Sequence, residues 1–132
     1  MANLFVLALL GHLVGDYLLQ TKHMALTKTQ PGWPGTKACT AHVAIYTAAV
    51  CLFLWTAHPL IVALIAVPHW LIDRFSAASA WLKIIRGRTF EDAYRSKDQY
   101  REFDIAFTSI VYTVTDNTMH LLCLWAVTFL IH

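Results

Sequence analysis

Four long apolar runs dominate this sequence and restrict how it can fold. They cover approximately residues 2–20, 38–57, 59–85 and 105–131. Each run is near or above the roughly 20 residues that a helix needs to cross the hydrocarbon core of a membrane. The chain is 58% hydrophobic and only 14% charged, whereas soluble domains average about 45–50% apolar and about 25% charged residues. These features predict an all-α fold, a single four-helix integral membrane bundle over residues 1–132.

The positive charges predict how such a bundle is oriented. All ten lysines and arginines lie in or beside two of the three connections, the one between the first and second runs and the one between the third and fourth. Because cytoplasmic loops of membrane proteins are enriched in Lys and Arg, both connections are predicted to be cytoplasmic and both termini extracytoplasmic. The sequence has no basic cluster interleaved with aromatic residues, so we expect no nucleic-acid partner.

The connection between the third and fourth runs is the most strongly charged part of the chain. Within it, Thr89 is followed three residues later by Asp92, the spacing of a capping box at a helix N-terminus. Phe90, Ala93 and Tyr94 would form the apolar side of that helix. We therefore predict a short amphipathic cytoplasmic segment lying on the membrane surface.

Polar residues interrupt all four apolar runs at regular spacing. Three runs carry a His and an Asp four positions apart, and the remaining run carries a single His. Residues four apart share one face of a helix, and an Asp near the bilayer centre costs about 2.5–3.5 kcal/mol unless it is paired inside the bundle. We therefore expect these side chains to meet in one inward-facing layer near the cytoplasmic surface. They are His12 with Asp16, His69 with Asp73, Asp116 with His120, and His42.

This layer has the composition of a metal site. Imidazole nitrogen and carboxylate oxygen suit a divalent metal, zinc or manganese in particular. The donors outnumber the four ligands of one tetrahedral ion, so one ion with supporting groups and two ions about 3.5–4 Å apart both remain open, as does a His–Asp hydrogen-bonded layer without metal. The predicted roles are metal ligand for Asp16, His69, Asp73, Asp116 and His120, catalytic residue for His12 and His42 as general base or additional ligand, and substrate-contacting or supporting group for Gln20, Arg74 and Asn117.

The first run also carries a packing motif. Gly11 and Gly15 are four positions apart beside the His12 and Asp16 stripe. Small residues at this spacing allow a second helix to approach closely. We therefore predict a tight helix–helix contact along this face.

Several of these motifs resemble an uncharacterised family of bacterial and phage membrane proteins, catalogued as domain of unknown function 3307. The resemblance rests on the segment from Gly11 to Gln20, on His42, on the segment from His69 to Asp73 and on the segment from Asp116 to Leu121. It spans nearly the whole chain and implies a multi-pass protein of the bacterial inner membrane, but no activity. A fainter similarity to membrane-bound metal-dependent hydrolases suggests chemistry by analogy.

Three functions follow from these patterns. The first is a metal-dependent membrane hydrolase acting on a lipid or phosphorylated lipid near the cytoplasmic leaflet. The second is a non-catalytic membrane interaction module in which the layer is a structural clasp, and the third is a component of proton or metal-ion transport. The expected partners are membrane lipids, with a homo-oligomer or another membrane protein left open.

Overall fold

Helices make up all of the regular secondary structure in the part of the chain that is described. The computed structural model describes residues 3–87 and 89–131 and confirms the all-α fold. The elements are α1 (Leu4–Leu13), a π-helical turn (Val14–Leu18), α2 (Lys22–Thr27), α3 (Gly32–Leu54), α4 (Pro59–Arg74), α5 (Ala77–Arg86), α6 (Phe90–Arg95) and α7 (Arg101–Thr128).

Four of these helices form a bundle. Helix α1 packs against α3 and α7, and α4 packs against the same two helices on the other side. The short helices lie in the two long connections, which meet at one end of the bundle: α2 packs on α3, α5 on α4 and α7, and α6 on α7. The other end is closed by the tight connection between α3 and α4. There Trp55 adopts a left-handed conformation (φ 50°) that ends α3, and Pro59 begins α4.

All four predicted helices differ from the observed ones in their bounds. The predicted helix 38–57 is Gly32–Leu54, and the predicted helix 105–131 is Arg101–Thr128. The other two also differ in shape. The run 59–85 is two helices, because Ser76 adopts a left-handed conformation (φ 49°) and the chain bends by 56° between α4 and α5. The bend follows Arg74, whereas α4 continues through Pro68. The first run leaves α-helical geometry at Val14, where five residues form the π-helical turn.

The surface helix predicted from the capping box is present. Thr89 Oγ1 accepts a hydrogen bond from the Asp92 amide at 3.2 Å, and Asp92 Oδ2 accepts one from the Thr89 amide at 2.7 Å. These reciprocal bonds define the start of α6. Ala93 is buried, whereas Phe90 and Tyr94 are exposed, so the helix presents aromatic side chains outward.

The predicted close contact along α1 is confirmed, and its partner is α3. A Cβ atom added to Gly11 would lie 2.7 Å from Val50 Cα, and one added to Gly15 would lie 2.8 Å from Tyr46 Cδ2. Both distances are shorter than side-chain carbon atoms tolerate. The absence of side chains at these positions therefore sets how closely α1 lies against α3.

Apolar residues occur both inside the bundle and on its outer surface. The buried cluster is supplied by α1, α3, α4 and α7. Large apolar side chains also stand outside, for example Leu52 at 67%, Trp55 at 88% and Leu122 at 60% exposure. The cluster consists of Ala8, Tyr46, Val50, Leu54, Ile61, Ile65, Leu124 and Val127.

Length and composition identify fewer candidate membrane spans than the four predicted. Among the described residues, α3 is the one straight helix that is long and apolar enough to cross a membrane. The pair α4 and α5 meets the same criterion if the bent pair counts as one span, and Leu4–Leu18 is apolar but shorter. The polar residues in α7, which include the motif around Asp116 and His120, lower its mean hydropathy.

Candidate metal centre

Four side-chain atoms from three helical segments converge at the end of the bundle that carries α2. His42 Nε2 lies 3.1 Å from His69 Nε2, 3.2 Å from Asp16 Oδ1 and 3.2 Å from Asp73 Oδ2. His69 Nε2 lies 3.3 Å from Asp73 Oδ2 and 3.6 Å from Asp16 Oδ1. We refer to these four atoms as the donor quartet: Asp16 Oδ1, His42 Nε2, His69 Nε2 and Asp73 Oδ2.

Five of the six separations within the donor quartet, all but the one between Asp16 Oδ1 and Asp73 Oδ2, match the edges of a tetrahedron around a small cation. Zinc binds nitrogen and carboxylate oxygen at about 2.0–2.2 Å, which places tetrahedral ligands about 3.3–3.6 Å apart. The five distances above run from 3.1 to 3.6 Å. Asp16 Oδ1 and Asp73 Oδ2 are buried, and the described residues offer them no well-aligned hydrogen-bond donor, although His42 Nε2 lies 3.2 Å from each oxygen. A buried carboxylate oxygen without a partner is costly, and a cation at the centre of the quartet would remove that cost.

The π-helical turn brings Asp16 into this arrangement. The Leu19 amide donates to the Val14 carbonyl at 3.0 Å, an i to i+5 hydrogen bond that widens the turn. Turns of this type are frequent at functional sites. Gly15 is buried within the turn against Tyr46, so the widened segment lies directly on α3.

Tyr46 lies one helical turn after His42 and contacts two histidines. Its ring stacks on His69 with centroids 3.6 Å apart and planes inclined by 30°. Its hydroxyl lies 3.2 Å from His12 Nδ1. Tyr46 is 1% exposed, so it is a rigid packing element between α1 and α4.

His12 is held outside the donor quartet by hydrogen bonds to both ring nitrogens. Asn117 Nδ2 donates to the Thr113 carbonyl at 2.7 Å, which fixes the orientation of the amide. Asn117 Oδ1 therefore accepts from His12 Nε2 at 2.7 Å. In the neutral ring, His12 Nδ1 then accepts from the Tyr46 hydroxyl, 3.2 Å away, and Asp16 Oδ2 lies 3.3 Å from the same nitrogen.

His120 points its unprotonated nitrogen into the cluster. His120 Nδ1 lies 2.9 Å from the Asp116 carbonyl, which can only accept, so Nδ1 carries the proton. In the neutral ring, Nε2 then presents a lone pair toward Asp73 Oδ1, 3.8 Å away. This nitrogen is buried and has no hydrogen-bond partner among the described residues. The closely spaced potential ligands form two sets that share His69: one is Asp16, His42 and His69, and the other is His69, Asp73 and His120.

Lys28 closes the cluster from the connection between α1 and α3. Its Nζ atom lies 2.8 Å from Asp73 Oδ1, and its side chain is 13% exposed. Asp73 is itself 3% exposed. This is therefore a largely buried ion pair between the end of α2 and the end of α4.

A polar pocket of about 200 Å³ lies against the cluster. Asp16, which belongs to the donor quartet, also forms part of the pocket wall. Gln20 contributes an amide nitrogen that is buried and unpartnered among the described residues. Arg74 does not line this pocket. The lining is completed by Tyr17, Ala25, Lys28, Tyr112, Thr113, Asp116 and Asn117.

The structure brings the predicted His and Asp residues together but distributes them differently from the predicted roles. His42 lies within the donor quartet, which is the position of an additional ligand, one of the two roles that the sequence left open for it. Asp116, predicted as a ligand, lies on the pocket wall with Oδ2 3.7 Å from His120 Nδ1. The reason is local: the carbonyl of Asp116 engages His120, and its carboxylate turns toward the pocket.

Two residues of the site were not predicted. Tyr46 follows His42 by four positions, so the spacing that marked the other pairs also marked this tyrosine. Lys28 had no such signal, because it is one of three lysines between the first two apolar runs. The position of Lys28 beside Asp73 depends on the path of the chain after α2.

The chain belongs to a family described as "Protein of unknown function (DUF3307)", whose model matches residues 4–132. This confirms the family indicated by the motifs. Comparison with curated proteins and with solved structures finds no match.

Proposed function

We propose that this protein is a metal-dependent hydrolase of the bacterial cytoplasmic membrane, with zinc or manganese held by the donor quartet and a lipid or phosphorylated lipid as substrate. The observation that carries the proposal is that the quartet and the polar pocket share a residue. Asp16 places Oδ1 in the quartet and lines the pocket, and its side chain is 14% exposed. A substrate group in the pocket would therefore lie beside the ion.

Several features support a location in the membrane, and the proposal includes four spans with both termini outside. Apolar side chains cover the outer surface of the bundle, as Leu52, Trp55 and Leu122 illustrate. Large exposed apolar surfaces are uncommon in soluble monomers and mark contact with lipid or protein. The basic residues of the described ranges occur at the end of the bundle with the short helices, as expected for a cytoplasmic face. The amphipathic helix α6 would lie on that face.

A divalent ion in such a site supplies activation of water and stabilisation of negative charge on a phosphoryl or carbonyl oxygen. The protein must also supply a proton acceptor. His42 and His12 do not line the pocket. His42 Nε2 belongs to the donor quartet and both nitrogens of His12 are engaged, so neither residue is placed to take a proton from water in the pocket. Asp116 lines the pocket with a side chain that is 18% exposed, and we assign it this role.

Hydrolysis of a phosphate monoester then proceeds as follows. The oxygen of a water molecule forms a bond to phosphorus, and the bond between phosphorus and the lipid oxygen breaks. Asp116 accepts a proton from the water and returns it to the departing lipid oxygen. The amide nitrogen of Gln20 and the ammonium group of Lys28 are donors available in the pocket for the remaining phosphate oxygens.

A structural clasp is the second candidate function, and one observation favours it. The donor quartet supplies four protein ligands, the number typical of structural zinc sites, whereas catalytic sites usually keep one position open. His42, His69 and Asp73 are nearly inaccessible, at 0%, 2% and 3% exposure. In the hydrolase, one coordination position must be open to water or substrate, and the partly exposed Asp16 would be the ligand that leaves it.

One experiment separates the two candidates. Protein purified mildly into lipid nanodiscs is assayed for bound metal by elemental analysis and for phosphate release from phosphatidic acid. The hydrolase requires a stoichiometric divalent ion and turnover that Asp116→Asn abolishes while metal content stays the same. Asp98→Asn, a matched change at an exposed aspartate, should alter neither quantity. Bound metal without turnover would favour a metal-holding clasp, and absence of bound metal would refute the hydrolase and leave a hydrogen-bonded His–Asp layer as the clasp.

A further inference from the structure

Asp73 presents its two carboxylate oxygens to two different cation positions. Oδ2 belongs to the donor quartet, 3.2 Å from His42 Nε2 and 3.3 Å from His69 Nε2. Oδ1 lies 2.8 Å from Lys28 Nζ and 3.8 Å from His120 Nε2. In enzymes with two metal ions about 3.5–4 Å apart, a ligand carboxylate can likewise serve both ions. In this protein the second position is occupied by an ammonium group.

The charges of the cluster agree with this arrangement. Asp16, Asp73 and Asp116 bring three carboxylates into a largely buried region. Within the described residues, Lys28 is the one Lys or Arg whose nitrogen lies within 4.0 Å of any of them. One divalent ion together with one ammonium group balances three carboxylates, whereas two divalent ions and Lys28 would leave an excess of positive charge. Uncompensated buried charge is strongly disfavoured.

The backbone around Lys28 holds its side chain in this position. Thr21 caps α2 by accepting from the Met24 amide at 3.2 Å, and the Lys28 amide donates to the Met24 carbonyl at 2.9 Å. The turn that follows is pressed against the first turn of α3. A Cβ atom on Gly35 would lie 1.9 Å from the Gln30 carbonyl oxygen. The segment that positions the Lys28 ammonium group beside Asp73 is thus tightly packed.

We propose that Lys28 is the built-in second cation of this cluster, and that the protein therefore binds one divalent ion and not two. This inference rests on the proposed metal binding by the donor quartet. It assigns Lys28 two tasks: it occupies the position beside Asp73 Oδ1 and His120 Nε2, and it orients the Asp73 carboxylate so that Oδ2 faces the two histidines.

The test is the number of Zn²⁺ ions bound by metal-free protein in nanodiscs, measured by calorimetric titration and by elemental analysis after desalting. Wild-type protein and Lys28→Arg, which retains the positive charge, should bind one ion per chain. Lys28→Met should bind two, because it vacates the position beside Asp73 Oδ1 and His120 Nε2 and removes the positive charge that repels a second divalent ion. Lys22→Met, a change at an exposed lysine of the same short helix, should bind one.

The possible ion counts separate the assignment of Lys28 from the hydrolase proposal. Two ions in the wild type, or one ion in Lys28→Met, would overturn the assignment of Lys28 and leave the hydrolase proposal standing. One ion in the wild type and two in Lys28→Met, without hydrolysis of any lipid, would support Lys28 and refute the hydrolase. No ion in the wild type would overturn both proposals. If Lys28→Met does not fold, Lys28→Gln replaces it, and a wild-type count of two still refutes the inference.

Discussion

His42 Nε2 and His69 Nε2 face each other at 3.1 Å across the contact between α3 and α4. Two imidazole nitrogens reach this separation when a proton or a cation lies between them, because two facing lone pairs repel. Both nitrogens also approach the same two carboxylate oxygens. A shared proton would satisfy one pair of atoms, whereas a metal ion would satisfy all four.

Replacing His42 with alanine should strongly weaken metal binding if the ion occupies the donor quartet. Loss of a direct ligand should lower the affinity for Zn²⁺ by more than the roughly 10–100-fold typical of losing an outer hydrogen-bond partner. Competition with a chromophoric chelator measures the change. The matched control is His58→Ala, at an exposed histidine in the connection between α3 and α4. An equal loss in both variants would contradict the assignment.

The hydrogen bond between Asn117 and His12 should affect the metal indirectly. Asn117→Ala removes the acceptor for His12 Nε2, which frees a ring that packs against Asp16. We expect an approximately 10–100-fold weaker affinity for Zn²⁺ with unchanged stoichiometry, as for other outer partners of metal ligands. Thr118→Ala, on the exposed side of the same helix turn, should retain wild-type affinity. A change in stoichiometry would place His12 among the direct ligands.

Two substitutions of Tyr46 should separate its hydrogen bond from its packing. Tyr46→Phe keeps the stacking on His69 but loses the contact with His12, which should lower the free energy of unfolding by about 0.5–1.5 kcal/mol. Tyr46→Ala also opens a cavity and should cost about 3–5 kcal/mol. Reversible unfolding in mixed micelles gives both values. Equal costs for the two variants would show that the ring contributes nothing beyond its hydroxyl.

Adding a methyl group at Gly11 should separate α1 from α3. The new Cβ would lie 2.7 Å from Val50 Cα, a backbone atom that cannot move independently. Overpacking of this kind costs about 1–3 kcal/mol, so Gly11→Ala should lower the thermal unfolding midpoint. Ala80→Val enlarges an exposed position of α5 and should change the midpoint much less. An unchanged midpoint for Gly11→Ala would mean that the two helices are less tightly packed than described.

The residues of the site were predictable where helical spacing brought them together. Pairs such as His69 and Asp73 stand four positions apart on a regular helix, so the sequence alone placed them on one face. Lys28 was not predictable, because its approach to Asp73 depends on a turn between two helices and on contacts with Gly35. The break at Ser76 was also missed, since a left-handed serine has no local sequence signal comparable to that of glycine or proline.

The π-helical turn has a consequence for how this site can vary. Such a turn contains one residue more than the α-helical turn it replaces, and each residue of an α-helix rotates the chain by about 100° and advances it by about 1.5 Å. The extra residue thus sets the angle between His12, before the turn, and Gln20, after it. An insertion or deletion of one residue after Asp16 would change the direction in which Gln20 faces the pocket. It would leave α1 packed against α3. His42, His69 and Asp73 belong to α3 and α4, so their positions on those helices do not depend on the length of this turn.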